Sequence, residues 1–243
     1  MNKKTEIIYG RHSVLELLKV GKRQINKLLI SNTVEKSFFK KILFFAKQKG
    51  ITINKVPMNK LRKISKNSQG IIAEVSPIKF IPIKDLINKH SIQRLVLLDN
   101  INDPNNLGAI IRNCVVFGID GVILPKKHTV GINQTVAKTS VGAIEYIAIS
   151  KVPNINQIIY LLKKKGFLIV GIENGYNELP INNNNLSLPI AIIFGSESKG
   201  IHFLTKKRCD LIISIQQKND ISSLNVSCAS AIILHELFKI FPT

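Results

Sequence analysis

Three polar clusters in this sequence each follow a short apolar run. The first covers residues 99–108, is rich in Asn, and places Asn106 where a helix cap is expected. A single cation, Arg112, follows it in the apolar stretch LGAIIRNCVVFG. A guanidinium group suits phosphate or carboxylate oxygens, and a charged side chain is rarely buried without a partner. We therefore expect Arg112 to be buried and to serve either a salt bridge, to Glu197 or Asp99, or a reaction that develops negative charge.

The second cluster is GSESKG, residues 195–200, directly after the apolar run IAIIF. Small residues after a strand let the backbone approach a ligand closely, although an ordinary turn has the same composition. The third cluster lies in residues 216–225 and ends in SSLN, which opens a long helix. Ser223 and Asn225 are either helix caps or site residues. Each cluster alone is a weak signal.

The elements that must position these clusters are short and apolar. The runs LVLL, GVIL, IEYIAI, FLIVGI, IAIIF and LIISI predict strands that are buried on both faces. Such strands are typical of a mainly parallel sheet covered by helices on both sides, and ligands of these sheets bind beyond the carboxyl ends of the strands. The loops after residues 98, 194 and 215 should therefore meet at one edge.

The first 76 residues predict a separate, compact α/β unit. Its helices are HSVLELLKVG, EKSFFKKILFFAKQKG and MNKLRKIS, and its strands are INKLLIS, ITINKV and IIAEVS. The stretch PIKFIPIK, with two prolines, predicts an extended connection. We predict an N-terminal domain at 1–77, a linker at 78–90 and a second domain at 91–243.

The chain has 243 residues, a net charge of +20 and a pI near 10.0. Residues 1–90 hold 20 Lys and Arg against 5 Asp and Glu, whereas residues 91–243 hold 15 against 10. A composition rich in Lys, Ile and Asn explains part of this charge, but not its concentration in the first part. The charge favours binding of RNA or DNA by the N-terminal domain.

Several classes of protein are disfavoured. The three cysteines and five histidines are dispersed, which predicts reduced cysteines, a cytoplasmic protein and no metal site. No apolar run approaches the length of a membrane span. The sequence lacks a GxGxxG after the first strand of the second domain and a GxxxxGK[ST] motif, which disfavours Rossmann dehydrogenases and methyltransferases and P-loop hydrolases.

The three clusters, in this order, resemble the three motifs of the SpoU/TrmH family of RNA 2′-O-methyltransferases. The matching stretches are DPNNLGAIIRNCVVFG, IIFGSESKG and ISIQQKNDISSLNVSCASAI. The N-terminal YGRHSVLELL and SQGIIAEV resemble the small RNA-binding domain, similar to ribosomal protein L30e, of one branch of this family. That branch includes an enzyme that methylates a guanosine of 23S ribosomal RNA, and related enzymes of other target specificity share this domain.

The resemblance implies a SPOUT fold, with an α/β domain whose parallel sheet ends in a C-terminal trefoil knot. It implies S-adenosylmethionine as cofactor, 23S rRNA as substrate and a homodimer built through the knot domain, with no membrane and no metal. Carried onto this sequence, the catalytic residues are Asn106, Arg112, Glu197, Ser223 and Asn225. The cofactor-binding residues are Gly195, Ile215 and Leu224.

The sequence departs from the family pattern at Ser198, where Gly is usual, and at IQQKN, where IPMxG is usual, with Gln216 and Asn219. Both departures fall in loops that contact the cofactor. Two alternatives therefore remain open: a 2′-O-methyltransferase acting on tRNA or another rRNA site, and a non-catalytic RNA-binding or ribosome-assembly factor. The set of proposed catalytic side chains favours an enzyme.

Overall fold

The computed structural model describes residues 5–88, 93–174, 186–197, 199–215, 218 and 224–242. In chain order its elements are β1 (Glu6–Tyr9), α1 (Arg11–Val20), β2 (Ile25–Ser31), α2 (Lys36–Gln48), β3 (Ile53–Val56), α3 (Met58–Ile64), β4 (Ile71–Val75), α4 (Ile83–Ile87), β5 (Arg94–Leu98), α5 (Pro104–Val116), β6 (Gly121–Pro125), α6 (Gln134–Thr139), a 3-10 turn (Ala143–Glu145), β7 (Ala148–Val152), α7 (Ile155–Lys164), β8 (Leu168–Ile172), β9 (Ile190–Phe194), α8 (Phe203–Lys206), β10 (Leu211–Ile213) and α9 (Val226–Ile240).

The chain packs into two units. The N-terminal unit comprises Met1–Lys79 together with Ile132–Tyr146, and the C-terminal unit comprises Phe80–Gly131 together with Ile147–Thr243. The predicted domains 1–77 and 91–243, with 78–90 as linker, stay a prediction. The packing of residues 132–146, which we call the returning segment, with the N-terminal unit was not foreseen.

The N-terminal unit contains a four-stranded sheet in the order β1-β4-β2-β3, with β2 and β3 parallel and the other pairs antiparallel. The helices and strands predicted from its sequence are confirmed, within two residues at each end. Helix α1 ends because Gly21 adopts a left-handed conformation, φ 65°, and its N–H bonds to the carbonyl of Leu17. The strand β1 was missed, because a four-residue run has little periodicity to detect.

The returning segment is fixed tightly against α1 in this unit. The hydroxyl of Ser13 donates a hydrogen bond to the carbonyl of Ala137, at 3.2 Å. Gly142 has φ 84°, and a Cβ added there would lie 2.6 Å from the Cβ of Glu16. A side chain at position 142 would therefore push the segment away from the helix.

A buried ion cluster holds the same segment from the other side. The guanidinium of Arg23 donates to Glu145 at 3.1 Å, to Glu6 at 2.5 Å and to the carbonyl of Ser76. The side chains of Arg23 and Glu145 are only 5% and 2% exposed. Burial raises the pKa of Glu145 above its usual range in spite of Arg23, so the carboxylate depends on that cation to stay charged.

Replacing Arg23 with alanine should lower the free energy of unfolding by about 3–5 kcal/mol, because Glu145 would be left buried without a cation. Glu145→Gln should cost at most about 1 kcal/mol, since Arg23 keeps Glu6 and the Ser76 carbonyl. Urea unfolding at neutral pH measures both. Equal losses in the two variants would contradict this asymmetry.

The C-terminal unit is built on a six-stranded, fully parallel sheet in the order β10-β8-β9-β5-β6-β7. The central strands β5, β6 and β9 are buried at every residue, which confirms the prediction from their apolar runs. From β5 the chain adds β6 and then β7 on one side of β5. The later strands, β8, β9 and β10, lie on its other side. The loops after β5 and β9 therefore open a crevice at the carboxyl edge.

Two predicted segments differ in detail. The run IEYIAI was predicted as a strand, but β7 begins only at Ala148, and Ile144 and Glu145 belong to the 3-10 turn. A short apolar run cannot be assigned to strand or turn by composition alone. Within the predicted linker, α4 buries Leu86 in the core of the C-terminal unit. The knot stays a prediction.

Among the described residues, no helix is long and apolar enough to cross a membrane.

Candidate active site

The loop after β5 is shaped by Asp103, which caps α5. Its carboxylate accepts a hydrogen bond from the N–H of Asn105, at 2.8 Å, and Pro104 follows it in the first turn. The prediction that Asn106 is the cap is therefore wrong. Asn106 lies in the first turn, is 8% exposed, and donates from its side-chain amide to the carboxylate of Glu197. The first and second clusters thus meet through two predicted catalytic residues.

The loop after β9 is a closed turn. Ser196 and Gly200 exchange two backbone hydrogen bonds of 2.9 Å, and the Ser196 hydroxyl accepts from the N–H of Lys199 at 3.1 Å. A Cβ at Gly195 would collide with the backbone of Gly200 and Ile201. Glycine is therefore required at position 195 for the turn to fold back on its own strand. Ser198 lies outside the described residues.

Glu173, directly after β8, stabilises the same turn. Its carboxylate accepts a hydrogen bond from the N–H of Ile201, at 3.0 Å, and lies 3.5 Å from the amino group of Lys206. Sequence analysis missed Glu173 because only the loops after residues 98, 194 and 215 were considered. The signal was present, since Glu173 follows the apolar run FLIVGI as directly as Gly195 follows IAIIF.

The loop before α9 ends in Asn225, which is the N-cap of this helix. Its side-chain oxygen accepts from the N–H of Ser227 at 2.8 Å and from the Ser227 hydroxyl at 2.6 Å. The capping alternative is thus observed for Asn225. Ser223, predicted as catalytic, lies outside the described residues, as do Gln216 and Asn219.

A cavity of about 320 Å³ joins the loops after β8 and β9 with Ile215, Leu224 and the start of α9. Its described lining residues are Ile172, Glu173, Asn174, Phe194, Gly195, Ser196, Glu197, Lys199, Gly200, Ile215, Leu224, Val226 and Ala229. All three predicted cofactor-binding residues, Gly195, Ile215 and Leu224, are among them. Glu197 lies at the same cavity and links it to Asn106.

Arg112 differs most from its prediction. It is exposed rather than buried, and among the described residues it forms no ion pair, so the salt bridge to Glu197 or Asp99 is not observed. Six residues along a helix correspond to a rotation of about 240°, which places Arg112 on a different face of α5 from Asn106. Asp99 instead accepts a hydrogen bond from the N–H of His202 at 3.0 Å.

The helix that carries Arg112 is nevertheless firmly placed. The side-chain amide of the next residue, Asn113, donates to the carbonyl of Ser227 at 3.0 Å and to the hydroxyl of Ser230 at 2.8 Å. These bonds tie α5 to α9, the helix that Asn225 caps. Arg112 is thus presented to solvent from a rigid element.

Thiol chemistry is disfavoured at this unit's buried cysteines. Burial raises the pKa of the Cys114 thiol far above its usual range and raises that of Cys209 to about 12. Neither is a thiolate at neutral pH. Cys114, Cys209 and Cys228 are free cysteines, which agrees with the prediction that they are reduced.

Two family models match the chain. Residues 93–235 match the SpoU rRNA Methylase family, and residues 7–81 match the family named RNA 2′-O ribose methyltransferase substrate binding. The first match covers the cavity and all three polar clusters.

Related proteins match over almost the whole chain. A Staphylococcus saprophyticus protein assigned to the TrmH family tRNA/rRNA methyltransferases is 35% identical over 96% of this chain and 95% of its own length. YacO of Bacillus subtilis, assigned to the same family, is 32% identical over 98% of this chain and 97% of its own length.

Solved structures share the fold. The SpoU methyltransferase AviRb from Streptomyces viridochromogenes, in complex with the cofactor AdoMet, aligns with a TM-score of 0.79 at 18% identity, over 97% of this chain and 90% of that chain. An AdoMet-bound rRNA methyltransferase from Sinorhizobium meliloti aligns with a TM-score of 0.80 at 21% identity, over 98% and 88%. By its family match and its relatives, this chain belongs to the SpoU/TrmH family of RNA methyltransferases.

Proposed function

We propose that this protein transfers a methyl group from S-adenosylmethionine to the 2′-oxygen of a guanosine ribose in 23S rRNA. The observation that carries the proposal is the hydrogen bond between Asn106 and Glu197 beside the 320 Å³ cavity. It joins the first turn of α5 to the loop after β9 at the carboxyl edge of the sheet, where ligands of parallel sheets bind. The family membership supplies the reaction class.

The cavity fits the cofactor in size and lining. Its volume lies within the range of about 300–1,000 Å³ of small-molecule sites. Phe194, Ile215, Leu224 and Val226 offer apolar surface to a planar base, and the closed turn after Gly195 brings backbone groups to the cavity. The bound cofactor supplies an activated methyl group on a sulfonium ion.

The 2′-hydroxyl of the ribose must be activated for attack on the methyl group. A 2′-hydroxyl is a weak nucleophile until its proton leaves, and a guanidinium group, which stays protonated in proteins, is a poor base. We assign Arg112 to the RNA phosphate next to the target and to the developing alkoxide, where a fixed positive charge lowers the barrier. The proton leaves to phosphate or water.

The remaining predicted catalytic residues would position the reacting groups and would not themselves transfer a proton or a methyl group. Asn106 would orient the ribose or Arg112, and its hydrogen bond to Glu197 would hold its amide in one orientation. Glu197 would also position a donor group on the substrate. Asn225, with Ser223, would shape the third loop, which supports Leu224 and Val226 at the cavity.

We propose that the protein works as a homodimer through the C-terminal unit. Val116 on α5 and Ile232 on α9 are 62% and 42% exposed, on two helices that pack together, and they offer apolar surface to a second copy. Arg112 is exposed on α5 as well. A dimer formed at these helices would bring Arg112 to the active site of the second copy.

We assign RNA capture to the N-terminal unit, which carries most of the positive charge. The match of residues 7–81 to a substrate-binding family supports this division. The relatives are named for tRNA as well as rRNA, so a tRNA ribose is the second candidate substrate.

The test uses methyl-labelled S-adenosylmethionine with separate pools of unmodified large-subunit rRNA, small-subunit rRNA and tRNA. We expect label on one guanosine ribose of the large-subunit RNA. Label on tRNA would keep the chemistry and replace the substrate. Absence of label from every pool, with RNA binding intact, would contradict the enzymatic proposal.

Glu173 provides a separate check on the cofactor site. Glu173→Ala should weaken S-adenosylmethionine binding about tenfold, because the turn loses a charged acceptor for Ile201. Glu173→Gln keeps an acceptor oxygen and should lose less. Calorimetry measures the affinity, and kcat at saturating cofactor should change little in either variant. An unchanged affinity in Glu173→Ala would show that the turn holds without this carboxylate.

A further inference from the structure

The N-terminal unit has a hollow of about 240 Å³ beside the connection from α3 to β4. Three cations, Arg62, Lys66 and Lys138, contribute to its lining. Among the described residues, no carboxylate lines the hollow and none pairs with these three side chains. Their positive charge is therefore available to a ligand.

The neutral polar groups of the hollow are held in place. Gln69 adopts φ 52°, and its side-chain oxygen accepts from the N–H of Arg11 at 2.9 Å. This bond directs the oxygen of Gln69 toward Arg11 and leaves its NH₂ as a donor. The connection itself is closed by a hydrogen bond from the N–H of Ile71 to the carbonyl of Ser68, at 3.1 Å.

Ser68 is buried at the hollow, with 1% of its surface exposed. Within the described part of the chain its hydroxyl makes no hydrogen bond. The hydroxyl of Ser68 is therefore available as a donor to a ligand in the hollow.

Lys138 reaches the hollow from a different part of the sequence. It belongs to α6, in the returning segment, and its amino group lies 5.6 Å from the centre of the Tyr9 ring. The neighbouring Ala137 is bonded to Ser13, so the backbone that carries Lys138 is fixed. Lys138 lies outside residues 7–81, which match the substrate-binding family, and inside residues 93–235, which match the methylase family.

The chemistry of the hollow suits part of a polynucleotide. Its volume is below that of most sites for whole small molecules, so it fits a phosphate group with part of a nucleotide. Arginine and lysine bind phosphate oxygens, and hydroxyl and amide donors reach sugar or base edges.

We propose that this hollow binds a phosphodiester of the substrate RNA, with Lys138, Arg62 and Lys66 on its oxygens. The site is composite. Arg62 and Lys66 lie in the residues that match the substrate-binding family, whereas Lys138 lies in the residues that match the methylase family. The proposal rests on the proposed function, in which the N-terminal unit captures RNA.

The test measures binding of the full chain to in vitro transcribed 23S rRNA as a function of KCl concentration. Lys138→Ala should weaken binding about tenfold. It should also reduce the slope of log affinity against log salt by about 0.7–0.9, the effect of one lost phosphate contact. Lys138→Arg should restore most of the affinity. Lys40→Ala, an exposed lysine on α2, removes the same charge and is the matched control.

The outcomes separate this inference from the proposed function. If Lys138→Ala binds RNA no worse than Lys40→Ala, while wild-type protein binds RNA and transfers methyl groups, only the composite site is overturned. In a second arm, calorimetry measures binding of inorganic phosphate alone. If Lys138→Ala no longer binds phosphate but binds RNA as tightly as the wild type, the hollow is a site for a free anion. That result would also overturn the proposal. Thermal melting checks that each variant is folded.

Discussion

Replacing Arg112 with alanine is expected to lower kcat by about 10²–10³-fold or more, because the developing alkoxide loses the positive charge that stabilises it. Arg112 does not line the cavity, so the affinity for S-adenosylmethionine should stay within a factor of about two. The exposed position of the side chain means that folding should not suffer. Single-turnover methyl transfer and calorimetry together measure the two effects.

Two variants sharpen this prediction. Arg112→Lys keeps a charge but loses the fork of parallel donors, and should recover only part of the rate. Lys164→Ala, an exposed cation on α7, should leave the rate unchanged. An Arg112→Ala enzyme that keeps most of its rate would remove Arg112 from the mechanism.

Mixing the Arg112→Ala and Gly195→Ala variants at a low S-adenosylmethionine concentration, where both are nearly inactive, would reveal where Arg112 acts. In a dimer of one Arg112→Ala chain and one Gly195→Ala chain, activity returns only if the arginine of one copy serves the cavity of the other. Recovered activity would support the dimer proposed from the exposed faces of α5 and α9. A mixture without activity would place Arg112 and the cavity of the same chain together.

Gly195→Ala is expected to weaken S-adenosylmethionine binding at least about 100-fold. The new methyl group would collide with the backbone of Gly200 and Ile201, so the turn that lines the cavity would have to move. The variant should also lose about 1–3 kcal/mol of stability, as overpacked positions do. Calorimetry measures the affinity, and urea unfolding measures the stability.

The chain offers a matched control at Gly131. A Cβ added there meets no atom within 4 Å, so Gly131→Ala tests the same chemical change without a collision. It should bind cofactor as the wild type does. A Gly195→Ala protein with wild-type affinity would mean that the turn can move aside, and that the cavity does not depend on its present shape.

Much of the fold could be predicted because the local signals agree with the final packing. The helices of the first 65 residues carry amphipathic patterns, and α1 ends at the glycine that the sequence indicates. The parallel sheet was predicted because its strands are apolar on both faces. The returning segment could not be predicted, since its partners Ser13 and Arg23 lie more than a hundred residues away.

The predictions for the site were less accurate than those for the fold. Gly195, Ile215, Leu224 and Glu197 were assigned from the family resemblance, and all four line one cavity. Their roles stay a prediction. The role of Asn106 as cap was wrong because the sequence holds a better cap, Asp103, three residues earlier. The burial of Arg112 was wrong because an apolar helix can still present one stripe to solvent. The capping error could have been avoided from the Asp-Pro pair alone, whereas the exposure of Arg112 depends on which helix face meets the sheet.

The connectivity of the two units bears on how such an enzyme changes its target. A substrate-binding module attached by one linker can be exchanged between proteins by a single recombination. Here the chain passes between its units after Lys79, after Gly131 and after Tyr146. A foreign module grafted at the first of these points would meet the native Lys138 and Glu145 without the partners that evolved beside them. Inheritance of RNA selectivity in this lineage would therefore require two distant stretches of sequence to change together.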